Sequence, residues 1–173
     1  VNTILFSDLQ ADATITDVVS TSTSAAGNGL LFTAIPAAAV AIVVKGGTFK
    51  GSHRGIGFST VNGASSVTLT DVTAESTGTT HEALRFDGGI SGTISIQGGL
   101  YTQTDPTKGA IAFPIQVSGA VSIADATATA NGNAISFTDL NAPLTLKNVV
   151  ATSSTAGNGL YLIAITALAT SID

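Results

Sequence analysis

Two histidines, His53 and His81, are the residues best suited to chemistry in this 173-residue chain. Each is followed by a charged residue, Arg54 in the first case and Glu82 in the second. Imidazoles can bind a transition metal or act as general acid and base, and carboxylates such as Glu82 and Asp105 could assist either role. Two imidazoles do not complete a zinc site, and the chain has neither a third histidine nor a cysteine. We therefore expect a solvated polar corner with a surface Arg54–Glu82 ion pair worth at most about 1 kcal/mol, and no metal or cofactor.

A second pair of charges, Arg85 and Asp87, follows a few residues later. With Tyr101 these two residues could form a face that binds or cleaves a carbohydrate. Glycoside cleavage normally requires two placed carboxylates, and nothing in the sequence shows that Asp87 and Asp105 converge. We predict no catalytic residue and no enzyme. The candidate surface or ligand-binding residues are His53, Arg54, His81, Glu82, Arg85 and Asp87.

The elements that must position these residues are revealed by the phenylalanines, six of which recur at a nearly constant interval. They are Phe6, Phe32, Phe58, Phe86, Phe113 and Phe137, followed by Leu162, at steps of 26, 26, 28, 27, 24 and 25 residues. An aliphatic residue lies two positions before each of them, and another lies three or four positions after it. This alternation is typical of half-buried strands. We expect the seven residues to form an internal ladder, in which each ring stacks on the next.

Two further short strands follow the phenylalanine strand in each repeat, as in "AIVV" at 41–44 and "GTFK" at 47–50. Between them stands an Asp, Gly or Asn, at positions 17, 46, 71, 98, 125 and 148, and these residues accept a left-handed backbone. Repeats of 24–28 residues with three short strands predict an all-β parallel β-helix of six to seven rungs without a capping helix. The whole chain, 1–173, forms one domain, with rungs that start near 1, 29, 55, 82, 110, 134 and 159. A globular β-sandwich is the alternative.

Over essentially its whole length, this pattern resembles the right-handed parallel β-helix proteins, the superfamily of pectate lyases, phage tailspikes and many bacterial adhesins. Right-handed coiling is also the general rule for parallel crossovers. The resemblance implies that outward residues beside the phenylalanines occupy the face where pectate-lyase-like enzymes carry acidic Ca²⁺ ligands and a catalytic Arg or Lys. Only Arg85 and Asp87 are charged at those positions here. The lyase and hydrolase groups are therefore not carried over.

Composition narrows the partners and the location. The 11 acidic and 6 basic residues leave no basic stripe for nucleic acid, and no apolar stretch approaches the roughly 20 residues that span a bilayer. We therefore predict neither nucleic-acid binding nor membrane insertion. A cysteine-free chain that is rich in Thr and Ser but poor in Lys is typical of secreted or surface-attached proteins. We expect an extracellular or cell-surface location.

The two ends of the chain suggest its role. The opening "VNTILF" is already in strand register, and the closing "LYLIAITALATSID" is among the most apolar segments, so neither resembles a cap. We expect a structural module that assembles head to tail into a fibre, or that forms part of a surface adhesin or matrix solenoid. Its partners would then be itself or further rungs of a longer chain. Carbohydrate binding or cleavage is one alternative, and ice binding by the outward threonines of the third strand is another.

Overall fold

Parallel β-strands make up the regular structure of the protein, which we describe from a computed structural model covering residues 2–35, 39–155, 157–166 and 170–172. Parts of the apolar stretches at 34–44 and 160–173 therefore lie outside the described residues. Within the described ranges there is no helix, and three parallel sheets of seven, seven and six strands form a β-solenoid of about six turns. The prediction of an all-β parallel β-helix with three short strands per rung is confirmed.

Each rung contributes one strand to each sheet, so strands that neighbour each other in space are three apart in the chain. The strands are β1 (Ile4–Ser7), β2 (Ala13–Thr16), β3 (Val19–Thr21), β4 (Asn28–Thr33), β5 (Ala41–Lys45), β6 (Thr48–Gly51), β7 (Arg54–Phe58), β8 (Ser66–Thr70), β9 (Thr73–Ser76), β10 (Leu84–Phe86), β11 (Thr93–Gln97), β12 (Leu100–Gln103), β13 (Ile111–Val117), β14 (Val121–Ala124), β15 (Thr127–Ala130), β16 (Ile135–Leu140), β17 (Leu144–Lys147), β18 (Val150–Ser153), β19 (Leu160–Leu162) and β20 (Thr170–Ile172). The phenylalanine sheet contains β1, β4, β7, β10, β13, β16 and β19. The second sheet begins with β2 and ends with β20, and the third runs from β3 to β18.

The phenylalanine ladder forms as expected, because parallel register places like residues directly over one another. Phe6 pairs with Phe32, Phe32 with Phe58, and Phe137 with Leu162. Successive ring centroids are 4.9, 5.1, 4.8, 4.7 and 4.4 Å apart, and the ring planes lie within 10° of parallel. The five rings from Phe32 to Phe137 are buried. The ladder therefore runs through the core of the solenoid and fixes the register of every rung.

The turn between the second and third sheets has the left-handed backbone that its residue types predict. Asp17, Gly46, Asp71, Gly98, Asp125 and Asn148 all have φ between 50° and 69°. Aspartate and glycine alternate in the first four rungs for a steric reason: a Cβ at Gly46 would collide with the Asp17 carboxylate, and one at Gly98 with that of Asp71. Each glycine thus leaves room for the aspartate of the preceding rung.

The third sheet corrects one expectation about the surface. Tyr101 lies in the inward column between Ala74 and Ala128, and its side chain is completely buried. Its hydroxyl has no hydrogen-bond partner within the described residues, and burial raises the pKa of the phenol. Tyr101 therefore cannot belong to a carbohydrate-binding face with Arg85 and Asp87, because an aromatic ring needs an exposed face to contact a sugar.

The outward side of the third sheet carries the threonines noted in the sequence, but they do not form an unbroken array. One outward column reads Val19, Thr48, Thr73, Leu100, Thr127, Val150, and the other reads Thr21, Lys50, Glu75, Thr102, Thr129, Thr152. Exposed Leu100 interrupts the first column, and exposed Val19 and Val150 lie at its two ends. A 2.7 Å Lys50–Glu75 ion pair interrupts the second.

Candidate functional site

The six candidate residues lie close together, at and beside the corner of the solenoid where the chain passes from the third sheet to the phenylalanine sheet. His53 lies in the turn before β7, and His81 lies at the equivalent point before β10. Their ring centroids are 4.0 Å apart, and the ring planes are inclined by 49°. The rings therefore lie against each other in successive rungs, and both are only partly exposed.

Beside the histidines, two arginines and two carboxylates form a continuous ion network. Arg54 Nη2 lies 2.7 Å from Asp87 Oδ2, and the other Asp87 oxygen accepts from Arg85 Nε at 2.5 Å. Arg85 Nη1 also lies 2.5 Å from Glu82 Oε2. Asp87 therefore bridges two guanidinium groups, and the four formal charges sum to zero.

The expected surface ion pair between Arg54 and Glu82 is wrong on two counts. Arg54 pairs with Asp87, and Glu82 pairs with Arg85. Both Arg54 and Glu82 are also buried, at 8% and 9% exposure, so neither is a surface residue. Arg54 Nε is buried without a hydrogen-bond partner, which makes the arginine dependent on its remaining contacts.

Gly57 makes this network possible, and the sequence reading missed it. Gly57 occupies an outward position of β7, in register with Leu31 and Arg85 in the neighbouring rungs. A Cβ there would lie 2.8 Å from Arg54 Cδ and 2.9 Å from Leu31 Cδ1. The Arg54 side chain thus crosses the strand over Gly57 to reach Asp87. A glycine at an outward strand position, where the neighbouring rungs carry side chains, was the available signal.

Replacing Gly57 by alanine should lower the free energy of unfolding by about 1 to 3 kcal/mol, because the new methyl group displaces the Arg54 stem and weakens its pair with Asp87. Urea unfolding measures the change. Gly89→Ala is the matched control, since a Cβ at Gly89 would meet no atom within 4 Å. Equal effects of the two substitutions would contradict this role for Gly57.

The hydrogen bonds of the histidines define their neutral tautomer. His53 Nδ1 lies 3.2 Å from Asn28 Oδ1, which also accepts from Arg54 Nη1 at 3.4 Å. The Asn28 amide nitrogen donates to Asn2 Oδ1 at 2.6 Å, so the Asn28 oxygen faces His53 as an acceptor. His81 Nδ1 contacts the carbonyl oxygen of Thr80, which can only accept. Both rings therefore carry the hydrogen on Nδ1 and the lone pair on Nε2.

The environment of the corner favours uncharged histidines. Burial is the main reason why the pKa of His53 falls from 6.5 to about 4, and the positive charge of Arg54 contributes more to this lowering than the negative charge of Asp87 opposes it. Burial also lowers the pKa of His81, although the hydrogen bond to Thr80 opposes this shift. At neutral pH both imidazoles are neutral, so they can act as acceptors or Lewis bases rather than as cations.

Acidification from pH 6.5 to about pH 4 should destabilise the fold through His53. In this window the unfolded chain binds a proton that the folded chain does not, so the free energy of unfolding decreases as the pH is lowered. Below about pH 4 His53 is protonated in both states, and this contribution stops changing. Proton NMR of the two imidazoles measures the pKa values directly. The stability difference between pH 7 and pH 5 should shrink in His53→Asn. A His53 pKa near 6.5 in the folded protein would contradict the buried corner.

An open depression of about 370 Å³ lies elsewhere on the surface, at the turn that follows the phenylalanine strands. It is lined by Thr60, Asn62, Gly89, Ile90, Ser91, Gln116 and Ser118. The lining is neutral and contains no aromatic ring or titratable group, so it offers hydrogen bonds but no reactive side chain. None of the candidate residues contributes to it.

Among the described residues, no three His, Cys, Asp or Glu side chains are grouped so that together they could hold a metal ion. The same residues include no helix of the length and apolarity that crossing a bilayer requires. Comparisons of the chain with protein-family models, curated proteins and solved structures found no significant match.

Proposed function

We propose that this solenoid is an extracellular structural module whose end rungs stack on further rungs. We consider stacking on the rungs of another copy of the chain, because it can be tested directly. The exposure of inward-facing side chains at the last rung carries the proposal. Ile172 is 60% exposed although its partner in the preceding rung, Leu146, is 4% exposed. Ile165 is 41% exposed although Leu140 is completely buried. These side chains continue the core columns of the solenoid.

The first rung presents the complementary surface. Ile4, Phe6 and Leu9 are only partly buried, and each belongs to an inward column of the core. If the last rung of one copy meets the first rung of another, Leu162 faces Phe6 and Ile172 faces Ile15, the same apolar types that stack within the core. The unpaired backbone groups of the edge strands would extend the parallel ladders. A contact of this head-to-tail kind does not close on itself and gives an open filament.

The composition supports the proposed location and the architecture supports a passive role. Thr and Ser are frequent on the outward faces of the sheets and the chain has no cysteine, and the ladder of stacked rings suits a mechanical role. We also infer a right-handed coil, as in the β-helix superfamily that the sequence resembles, because parallel crossovers favour that hand.

The alternative functions lose support from particular residues. A carbohydrate-binding face around Arg85 and Asp87 lacks its aromatic member because Tyr101 is in the core. An ice-binding threonine face would have to tolerate Leu100 and the Lys50–Glu75 pair in its centre. We propose neither.

Assembly of the purified 173-residue chain should increase with concentration and give filaments about one solenoid wide. Sedimentation velocity and negative-stain microscopy measure this. Ile172→Asp should block assembly, because it places a charge where the next rung would stack. Leu100→Asp, which changes a 43% exposed but outward residue in the middle of the solenoid, should assemble like the unmodified chain. Monodisperse monomers at every concentration would rule out head-to-tail stacking of copies.

A further inference from the structure

The two histidines lie against each other at equivalent points of successive rungs. Their rings lie 4.0 Å apart in successive rungs, and each Nδ1 is committed to an oxygen acceptor, Asn28 Oδ1 in one case and the Thr80 carbonyl in the other. The Nε2 lone pairs are the free coordinating positions of both rings. We propose that His53 and His81 together bind one divalent transition-metal ion through their Nε2 atoms.

The separation of the rings suits one shared ion. With metal–nitrogen bonds of about 2.0–2.1 Å, two imidazoles bound at a right angle have ring centroids roughly 4.5 Å apart. The observed 4.0 Å therefore requires the rings to spread by about half an ångström. Small side-chain rotations supply that movement, since both histidines lie in a turn and are partly exposed.

The hydrogen bonds behind the rings are those that metal-binding histidines use. A ligating imidazole normally donates its second N–H to a carbonyl or carboxylate, which fixes the tautomer and the ring orientation. Asn28 provides this acceptor for His53, and its amide is itself held by Arg54 and Asn2. The corner therefore orients His53 before any ion arrives.

The charged groups beside the histidines are paired with one another. Arg54 is paired with Asp87, and Arg85 is paired with Glu82 and Asp87, so the network carries no net charge. No third protein ligand joins the pair among the described residues, so water would fill the other coordination positions. Among divalent first-row ions, Cu²⁺ binds nitrogen ligands most tightly. The chain has no cysteine or methionine to compete for it.

Titration of the folded chain with Cu²⁺ at pH 7, without a polyhistidine tag, tests the site by calorimetry and electron paramagnetic resonance. We expect one equivalent to bind, with splitting from two imidazole nitrogens in the spectrum of the unmodified chain. His53→Asn and His81→Asn should each weaken binding by about tenfold or more, and Asn28→Ala by about tenfold through loss of the orienting hydrogen bond. Lys108→Ala, at the same point of the next rung, should leave the affinity unchanged.

Two results would overturn the proposal. One is the absence of binding at millimolar Cu²⁺, and the other is an unchanged affinity when both histidines are replaced. Because the spectrum of the unmodified chain counts the nitrogen ligands directly, the test holds even if a histidine variant fails to fold. Thermal unfolding of each variant identifies that case. The measurement uses dilute protein and does not depend on filament formation.

Discussion

Replacing Phe58 by alanine should lower the free energy of unfolding by about 3 to 5 kcal/mol. Phe58 is completely buried, and its ring is stacked between Phe32 at 5.1 Å and Phe86 at 4.8 Å. Truncation removes a large apolar surface and both ring contacts at once. The cavity it leaves is bordered by the two neighbouring rungs, whose spacing is fixed by backbone hydrogen bonds, so little collapse can relieve the loss. Equilibrium urea unfolding followed by circular dichroism measures the change.

Phe6→Ala is the matched control for the ladder. Phe6 stacks on only one ring, Phe32 at 4.9 Å, and is only partly buried. Its truncation should therefore cost less than half as much as that of Phe58. A cost below about 1 kcal/mol at Phe58 would mean that the ladder is not a continuous core element. If Phe6 and Phe58 cost the same, the first rung would have to be covered in solution, as stacked copies would cover it.

The sequence predicts the fold well because a solenoid converts spacing along the chain into stacking in space. The interval between Phe32 and Phe58 is one rung, and the parallel register places them as a pair. The turn aspartates and glycines reveal the left-handed corner for the same reason, since their backbone conformation recurs in each rung. In every repeat, the position of a residue therefore predicts which residues of the neighbouring rungs it contacts.

Tyr101 was expected on the outer surface with Arg85 and Asp87, but the repeat itself places it in an inward column. Tyr101 lies two rungs from Phe49 in the same inward column, with Ala74 between them. Since Phe49 is apolar and the strand alternates, the position faces the core. The small side chains of Ala74 and Ala128 provide room for the phenol ring. Column membership, rather than the polarity of the hydroxyl, decides where this residue points.

The charged corner was predicted only in outline. The repeat correctly brings His53 near His81, because both occupy one point of the turn. It does not predict which charges pair, because columns describe where Cα atoms lie and a long side chain can cross to another position. Arg54 does so over Gly57, and its partner is Asp87 rather than the residue above it in its own column. The length of the Arg54 side chain and the lack of a side chain at Gly57 together determine which charges pair.

Asp87→Ala should destabilise the protein by about 3 to 5 kcal/mol, because it leaves the Arg54 guanidinium buried without its counter-ion. The Arg54 side chain is 9% exposed, and its Nε already lacks a partner, so removal of the carboxylate leaves its charge poorly compensated. Arg85 suffers less, because it keeps Glu82. Urea unfolding at pH 7 measures the loss.

Two comparisons separate buried charge from other causes of the Asp87 effect. Glu75→Ala breaks the Lys50–Glu75 pair, which has the same 2.7 Å distance but side chains that are 41% and 29% exposed, and it should cost less than about 1 kcal/mol. Adding Arg54→Met to Asp87→Ala should recover most of the stability, since it removes the stranded charge and retains an apolar stem over Gly57. If the double variant is as unstable as Asp87→Ala alone, the loss comes from Arg85 or from the turn, and Arg54 is not the residue that Asp87 holds in place.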